Sequence, residues 1–426
     1  MGITLKRMRV FKFGGASVKD AASVKNLKRV LEYTGSDKLV VVVSAMGKTT
    51  NALEAVVSAY FKQDDSLTAS IQFSREYHQQ IIDELFPQRS HPIHGQIKDF
   101  FTDMEDFLSH NRSQNHAFVY DQVVSFGELI STTIVSTFLN ENGHKNNWLD
   151  ARSCIKTDSN YRDPRVDWAL TQERIKSHVD RNALTITQGF LGSEANNNFT
   201  TTLGREGSDY TAAIFGYCLD AENVTIWKDV PGVLNADPRH FTKTQLLNRI
   251  SYREAIELAF YGASVIHPKT LQPLQRKEIP LYVRSFVNPQ DEGTCVTKGQ
   301  ALEPMVSCFI LKKDQVLISL SSLDFSFMME DHIGEVFKLL HQYKMKVELI
   351  QNSAISFSVC VDNKFKKLPE LLQQLKKHFS VTHHEGVTLY TVRHAKPEEI
   401  KALIKGQQVL LKQEAQETVQ VVIKQS

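Results

Sequence analysis

Four short segments rich in glycine and hydroxyl side chains hold the residues of this chain that could do chemistry. They are residues 12–17 (KFGGAS), 44–51 (SAMGKTTN), 201–209 (TTLGREGSD) and 227–239 (WKDVPGVLNADPR). A phosphate-binding loop needs glycines so that successive backbone N–H groups can converge on oxygens, a lysine for charge, and hydroxyls for the remaining lone pairs. Because each requirement is met more than once, the four segments predict a site that holds two anions side by side.

The second segment matches only part of a P-loop. Its GKT tripeptide at 47–49 fits the last three positions of the motif. A P-loop also needs a glycine five residues before the glycine of this tripeptide, and that position, 42, is valine. This mismatch excludes a Walker-type nucleoside triphosphatase and leaves an anion loop lined by hydroxyls, among them Ser44 and Thr50. The structural alternative is a helix start that Thr50 or Asn51 caps.

Two charged residues near these loops have both a structural and a functional interpretation. Ser125 and Glu128 fit a capping box, in which Ser125 caps a helix and Glu128 reaches back three residues. A carboxylate in the first turn of a helix beside an anion site could instead receive a substrate ammonium. In the third segment, Arg205 could grip a carboxylate in bidentate fashion, which lysine cannot do; the alternative there is a flexible loop before a capped helix.

The elements that must position these loops alternate between strands and helices. The continuous apolar run at 38–44 is typical of a strand buried on both faces of a parallel sheet. Other predicted strands lie at 10–13, 184–187 and 224–227, and predicted helices at 21–33, 51–61, within a polar region at 67–110, and at 127–139. This order indicates an α/β sandwich with a mainly parallel central sheet, with ligands at the carboxyl ends of its strands.

The pattern changes near residue 295. Residues 309–395 follow the order β-α-β-β-α-β of a ferredoxin-like unit. Its predicted strands and helices are 315–320, 333–343, 346–349, 354–361, 368–379 and 387–392. The tail predicts a helix at 397–406 and strands over 409–424, which is too short for a second complete copy. We therefore expect a truncated second unit, or one completed by chain elements before residue 315.

Composition limits the class of partner. With 426 residues the chain should form about two or three domains. Its 50 Lys and Arg nearly balance its 48 Asp and Glu, so no overall charge recruits nucleic acid or an anionic membrane, and small molecules or proteins are the expected partners. No uninterrupted apolar run approaches the ~20 residues of a membrane span. Five scattered cysteines without a CxxC pair predict free thiols and a cytoplasmic location.

The four segments in this order, followed by YGASVIHPKT at 261–270 and the ferredoxin-like tail, resemble the aspartate kinases of the amino acid kinase family over essentially the whole chain. The resemblance implies an αβα catalytic domain at 1–295 and an ACT-type regulatory region at 296–426, with one complete ACT unit at about 309–395. It also implies a homodimer formed through the ACT region. The implied reaction is phosphorylation of the β-carboxylate of L-aspartate, with ATP and Mg²⁺, at the first step towards lysine, threonine and methionine.

Matched motif by motif, the resemblance implies a role for each site residue. Lys12 and Asp209 would be catalytic, with Asp209 orienting Lys12. The phosphate-binding residues would be Gly14, Gly15, Ser17 and Ser44. The substrate-binding residues would be Thr50, Glu128, Arg205 and Ser208, with Arg205 on the α-carboxylate and Glu128 on the ammonium. The ATP site would include Lys228, Asp229, Val233, Leu234, Arg239, Ser264 and Lys269. No residue is directly predicted to bind the metal.

Three positions depart from the family pattern. Glu206 stands where many relatives have glycine, and it either partly neutralises Arg205 or points outward. Leu234 replaces a tyrosine found in some members. Ser264 stands where members often have lysine, a role that Lys269 could take.

The regulatory region departs further. The residues Asp331, His332 and Ile333 occupy the place of a glycine-containing effector loop in the lysine-sensing members. The segment 347–353 still resembles the effector-contacting strand, so Glu348 could receive an amino-acid ammonium and Asn352 would lie nearby. The alternative is that Glu348 is an exposed charge at the sheet edge. The expected effector is lysine or threonine.

Two other functions stay open from the sequence. A kinase of the same fold could act on glutamate or acetylglutamate, although the GREGSD segment and the ACT tail favour aspartate. Alternatively, the chain could be a catalytically silent amino-acid sensor that binds its effector through residues 309–395. A silent sensor has no need for a phosphoryl-transfer lysine, so the presence of Lys12, Arg205 and Asp209 argues against that interpretation.

Overall fold

The computed structural model describes residues 7–263, 266–299, 301–323 and 327–424. The chain forms two compact units. The first unit comprises Met1–Val233, Leu246–Ile256 and Val265–Ala301, and the second comprises Leu234–Gln245, Glu257–Ser264 and Leu302–Ser426. All five cysteines are free thiols, as predicted.

The first unit is built on a twisted, mainly parallel sheet, which confirms the predicted fold class. Its strands are β1 (Arg9–Phe13), β2 (Leu39–Val43), β3 (Asn146–Leu149), β4 (Lys156–Thr157), β5 (Leu184–Gln188), β6 (Leu191–Glu194), β7 (Thr200–Thr202), β8 (Asn223–Lys228), β9 (Arg249–Ser251), β10 (Leu281–Ser285) and β11 (Thr294–Thr297). The large sheet has the order β3-β5-β2-β1-β8-β10-β11-β9, and β4, β6 and β7 form a separate small sheet. Only the β10–β11 pair in the large sheet is antiparallel among the described strands.

Helices connect and cover these strands. They are α1 (Ala21–Thr34), α2 (Thr49–Lys62), α3 (Ser66–Leu85), α4 (Pro92–His110), α5 (His116–Glu141), α6 (Ala151–Cys154), α7 (Trp168–His178), α8 (Gly207–Leu219), α9 (Tyr252–Tyr261) and α10 (Pro268–Arg276). The predicted polar helical region at 67–110 is thus two helices, α3 and α4. The helix after the second glycine loop begins at Thr49 with Lys48 as its N-cap residue, so neither Thr50 nor Asn51 caps it.

The sheet places two lysines at one edge. β2 consists of five aliphatic residues that are all buried, which is typical of a central parallel strand. β1 lies between β2 and β8 and is parallel to both. Lys12 near the end of β1 and Lys228 at the end of β8 therefore lie at the carboxyl edge of the sheet, where α/β folds bind ligands.

The long helix α5 corrects one prediction from the sequence. It begins at His116, where the Asn115 side chain accepts hydrogen bonds from the N–H groups of Ala117 and Phe118. The capping box predicted at Ser125 and Glu128 is wrong, because both residues lie inside this helix. α5 is long and apolar enough to cross a membrane, but 78% of its most apolar window is buried within the protein, as in a core helix.

In its described residues, the second unit contains an antiparallel sheet, three helices of its own and the end of α9 from Glu257 onwards. Its elements are β12 (Cys308–Ser322), α11 (Glu330–Gln342), β13 (Lys346–Asn352), β14 (Ser356–Asp362), α12 (Leu368–Leu375), β15 (Phe379–Arg393), α13 (Pro397–Ile404), β16 (Gln408–Ala415) and β17 (Thr418–Lys424). β15, β12, β14 and β13 are neighbours in that order, the arrangement of a ferredoxin-like fold. The helix predicted at 368–379 ends at Leu375, because Phe379 packs as a strand residue in the apolar core.

Two long strands serve two sets of neighbours in this sheet. The second part of β12 pairs with β14 on one side and with the start of β15 on the other, whereas its first part, 308–312, pairs with the end of β15. That end of β15 pairs with β17, which pairs with β16. A second four-stranded set therefore shares β12 and β15 with the first. The register of the β12–β15 pair shifts between Lys312 and Leu317, where one set gives way to the other.

Candidate active site

A cluster of one buried carboxylate, one buried lysine and one half-buried lysine lies at the carboxyl edge of the large sheet. Asp209 is in the first turn of α8, and its Oδ1 is 2.6 Å from Nζ of Lys12. Nζ of Lys228 is 3.6 Å from the other carboxylate oxygen. Asp209 is 2% exposed and Lys12 8%. Burial alone would raise the pKa of Asp209, but the two lysines outweigh it and lower the pKa. Asp209 therefore remains ionised and fixes the positions of both ammonium groups.

This cluster forms one wall of a cavity of about 280 Å³. All four segments singled out in the sequence contribute residues to the cavity, the fourth through Lys228. The lining residues are Lys12, Ser44, Thr50, Glu128, Phe190, Gly204, Glu206, Gly207, Ser208, Asp209 and Lys228. The cavity thus brings cationic, hydroxyl and carboxyl groups together at the end of a parallel sheet, which is a suitable arrangement for a small charged substrate.

The first two glycine loops touch through backbone atoms beside this cavity. A Cβ on Gly15 would lie 2.8 Å from the carbonyl oxygens of Ala45 and Gly47, so any side chain there would push the loops apart. A Cβ on Gly14 would lie 3.2 Å from Nζ of Lys12. Ser17 is buried in the short 3-10 turn that follows Gly14, outside the cavity lining. The glycines therefore allow the loop carrying Ser44 to approach Lys12.

Glu128 presents a buried carboxyl group to the cavity from the middle of α5. Its Oε1 accepts a hydrogen bond from the backbone N–H of Ala45 at 3.3 Å. Its Oε2 has no hydrogen-bond partner among the described residues, although the side chain is 2% exposed. Burial raises the pKa of Glu128 to about 8. A buried carboxyl oxygen without a partner is well suited to receive a cationic group of a ligand.

The start of α8 fits closely against the end of β5. A Cβ on Gly189 would lie 2.4 Å from Cβ of Ser208, and a Cβ on Gly207 would lie 2.6 Å from the Phe190 ring. These glycines let the first turn of α8 approach the sheet and place Ser208 and Asp209 in the cavity. Our sequence reasoning missed Gly189 and Phe190, although a glycine directly after a buried strand is a signal for close backbone approach.

The two charged residues before α8 differ in their position. Arg205 is exposed and lies outside the cavity lining. Glu206 lines the cavity, so the interpretation that it points outward is wrong. Its backbone has a φ of 54°, a left-handed conformation that favours glycine.

The residues expected around a nucleotide are spread over both units. Lys228 lines the cavity; Asp229, the next residue, is exposed. Val233 is buried, and its N–H donates to Oγ1 of Thr294 at 2.8 Å. Lys269 forms an ion pair with Asp163 and lies outside the cavity lining. In the second unit, Leu234 is half-buried and Arg239 is exposed and paired with Asp237; Ser264 lies outside the described residues.

The predicted effector residues lie in the second unit. The Glu348 side chain is 7% exposed and forms ion pairs with Lys312 and, at 2.8 Å, with Lys346. The interpretation of Glu348 as an exposed edge charge is therefore wrong. Asp331, His332 and Ile333 lie in the first turn of α11, and Asn352 is exposed at the end of β13.

Comparisons with known proteins point to one family. The amino acid kinase family model matches residues 7–285. Lysine-sensitive aspartokinase 3 of Escherichia coli is 32% identical over 361 residues, which cover 83% of this chain and 78% of that protein. Chloroplastic aspartokinase 2 of Arabidopsis thaliana is 29% identical over 396 residues, which cover 86% of this chain and 70% of that protein.

Solved structures agree with the sequence matches. The structure of aspartokinase III of Escherichia coli in complex with lysine and aspartate, in its T-state, has a TM-score of 0.82 at 28% identity and covers 97% of this chain and 95% of that one. The R-state structure of the same enzyme with aspartate and ADP has a TM-score of 0.80, also at 28% identity, and covers 98% and 96%. The chain therefore belongs to the amino acid kinase family, in its aspartokinase branch.

Proposed function

We propose that the chain transfers the γ-phosphoryl group of ATP to the β-carboxylate of L-aspartate and forms 4-phospho-L-aspartate, in the cytoplasm, at the first step towards lysine, threonine and methionine. The observation that carries the proposal is the Lys12–Asp209–Lys228 cluster facing the free carboxyl oxygen of Glu128 across one small cavity. The lysines suit the transferring phosphoryl group. Glu128 suits the ammonium of an amino acid.

The mechanism needs no general base. The side chain of aspartate has an ordinary pKa of about 3.9, so it is already the nucleophilic anion at neutral pH. The barrier arises from bringing this anion against the phosphates. Catalysis would therefore rest on positioning and charge neutralisation, by Lys12, Lys228 and the N–H groups of the Gly14-Gly15 loop. Asp209 holds the lysines and takes no proton.

The substrate residues divide the charges of aspartate among them. Glu128 would bind the ammonium, and Arg205, on the loop before α8, would take the α-carboxylate in bidentate fashion. The hydroxyls of Thr50 and Ser208, which line the cavity, would hold the remaining oxygens. Ser44, with Gly14, Gly15 and Ser17, would surround the phosphoryl group.

The nucleotide would extend from Lys228 along the segment that follows β8. Its expected contacts are Lys228, Asp229, Val233, Leu234, Arg239, Ser264 and Lys269. Magnesium would supply charge neutralisation on the phosphates. Asp209 is already held by two lysines, and we assign the free oxygen of Glu128 to the substrate ammonium. The hydroxyls of Ser44 and Ser208 on the described cavity wall would therefore accompany an ion carried mainly by the nucleotide.

We further propose that residues 1–295 form the catalytic domain and residues 296–426 an ACT regulatory region through which two copies dimerise. Structures of the Escherichia coli relative contain lysine, aspartate and ADP. These ligands of a relative support an amino-acid effector, lysine or threonine, for this chain. Sedimentation analysis of the full chain tests the dimer directly.

The deciding experiment is formation of the acyl hydroxamate with ATP, Mg²⁺ and hydroxylamine. We expect product from L-aspartate and none from L-glutamate or N-acetylglutamate. Product from one of the other acids would reassign the substrate. A folded protein that gives no product from any acid would support the silent amino-acid sensor instead.

A further inference from the structure

Glu206 occupies a backbone position that favours glycine. Its φ and ψ are 54° and 29°, in the left-handed region, and it is the N-cap residue of α8 without a capping hydrogen bond from its side chain. A residue with a Cβ is disfavoured in this conformation, and such residues are concentrated at functional sites. Because the Glu206 side chain does not cap the helix, capping does not explain why a glutamate occupies this position.

The side chain of Glu206 lines the same cavity as Glu128. Its Oε2 is buried and has no hydrogen-bond partner in the described part of the chain, like Oε2 of Glu128. Asp209, the third carboxylate of the wall, is held by Lys12 and Lys228. Of the three carboxyl groups on this wall, only that of Asp209 therefore has an ion-pair partner among the residues that the structure describes.

The neighbouring histidine does not provide that cation at neutral pH. His267 is the N-cap residue of α10, and Glu206 acts to raise its pKa. Burial is the larger influence and lowers the pKa of His267 below its ordinary value. His267 is therefore mainly neutral at pH 7, and the charge of Glu206 is left for a ligand.

L-Aspartate brings one ammonium and two carboxylates into this cavity. A carboxylate next to the ligand's own carboxylates would weaken binding, whereas a carboxylate next to its ammonium would strengthen binding. We propose that Glu206 acts with Glu128 to bind the α-ammonium of the substrate. The pair makes the site selective for a free α-amino group over deaminated or N-acylated dicarboxylates. This inference rests on the proposed function and names a specificity residue within it.

The variant Glu206→Gln separates charge from backbone conformation. It keeps the side-chain volume and a residue with a Cβ in the left-handed conformation, but it removes the negative charge. We expect the KM for L-aspartate to rise about tenfold or more with little change in kcat, which is the scale of one lost hydrogen bond to a charged group. Succinate has the same two carboxylates without the ammonium, so its inhibition constant against aspartate should stay the same or fall.

The variant Glu206→Gly removes the negative charge and also the Cβ that makes the left-handed conformation unfavourable. It should show the same rise in KM and, in addition, a melting temperature higher by roughly 1–3 °C. Gln63→Gly is the matched control. Gln63 is exposed, has a φ of 52° and caps the C-terminal end of α2, whereas the cavity residue Thr50 lies at the N-terminal end. It should raise the melting temperature without changing the KM.

Calorimetric titration of L-aspartate into the wild-type protein and Glu206→Gln gives a readout that does not depend on turnover. Weaker aspartate binding with unchanged succinate binding supports the proposal. Equal affinities for aspartate in the two proteins, or an equal loss for aspartate and succinate, would overturn it. A wild-type protein that binds aspartate without forming product would count against the proposed reaction and leave the assignment of Glu206 standing.

Discussion

If Glu128 binds the substrate ammonium as proposed, it couples the pH dependence of stability to that of substrate binding. Burial raises its pKa to about 8, well above the ordinary value of 4.5. The folded protein therefore keeps a proton that the unfolded chain releases above pH 4.5. The resulting contribution to stability is fully present below pH 4.5 and is lost as the pH rises towards 8. An ammonium bound at Oε2 would favour the ionised form and reverse this loss.

The variant Glu128→Gln tests that linkage, because glutamine mimics the protonated side chain. We expect the ligand-free variant and wild type to melt at similar temperatures at pH 5, with the variant more stable by pH 8. The difference should be on the order of a few kcal/mol. Its KM for aspartate should rise. Glu222→Gln, at an exposed residue, is the control and should show no such trend. A stability difference that is constant between pH 5 and 8 would contradict the assignment.

Lys12 and Lys277 each pair with an aspartate at one end of α8, and we expect only the loss of Lys12 to reduce activity strongly. Replacing it in Lys12→Ala removes a positioned positive charge from the transferring phosphoryl group, and we expect kcat to fall by roughly 10²-fold or more. Lys277→Ala is the matched control, because Lys277 pairs with Asp220 at the opposite end of α8. The assay is hydroxamate formation at saturating aspartate. A near-normal kcat for Lys12→Ala would remove Lys12 from the mechanism.

At the scale of elements, the contact between the end of β5 and the start of α8 sets the position of the Asp209 carboxylate. The variant Gly189→Ala would place a Cβ 2.4 Å from Cβ of Ser208 and 2.9 Å from its Cα, so α8 must move. We expect kcat/KM to fall at least about tenfold, because displacements of about 1 Å in a catalytic site carry losses up to the order of 10²-fold. Activity equal to wild type would show that the helix tolerates the shift.

Gly95→Ala is the control for that substitution. Gly95 lies in α4, and a Cβ there meets no atom within 4 Å among the contacts described. Alanine is favoured over glycine inside a helix by up to about 1 kcal/mol. The control should therefore keep full activity and melt at the same or a slightly higher temperature.

Local sequence patterns predict elements of this protein better than they predict contacts between distant segments. The aliphatic run of β2 has few alternatives to a buried parallel strand. The start of α5 is predicted at 127 rather than at His116, because Ser125 and Glu128 match a capping motif while lying inside a helix. The helix is buried on nearly all sides and continues through that motif, and Asn115 is the actual cap.

The candidate site shows the same limit. The glycine loops predict an anion site, but the pairing of Lys12 with Asp209 joins residues far apart in the chain, and only the family resemblance implied it. The free oxygen of Glu128 depends on how α5 meets the loop at Ala45, and the inward position of Glu206 depends on its backbone conformation. Neither can be derived from residue types and spacing.

At the scale of the whole molecule, the ion pairs of Glu348 connect stability to the proposed amino-acid response. The variant Glu348→Gln leaves Lys312 partly buried without its charged partner, and we expect a loss of about 1–3 kcal/mol in the free energy of unfolding of the full chain. Lys346→Ala removes only the exposed partner and should cost at most about 1 kcal/mol. Urea unfolding of both variants gives the comparison. Equal losses in the free energy of unfolding would show that the Glu348–Lys312 ion pair contributes no more to stability than the exposed Glu348–Lys346 pair.

The same variant tests regulation. If Glu348 binds the ammonium of an effector, the inhibition of the full chain by millimolar lysine or threonine should be lost in Glu348→Gln, while the rate without effector stays close to wild type. An inhibition curve identical to that of wild type would exclude Glu348 from the response.

Two sets of strands share β12 and β15. Each of these strands has 15 residues and so extends for about 50 Å, which lets the pair contribute to both sets. The regular pairing of β12 with β15 is interrupted by the register shift between Lys312 and Leu317. Because Lys312 forms its ion pair with Glu348 beside this shift, a ligand that drew Glu348 away from Lys312 would remove a contact at the place where one set of strands gives way to the other.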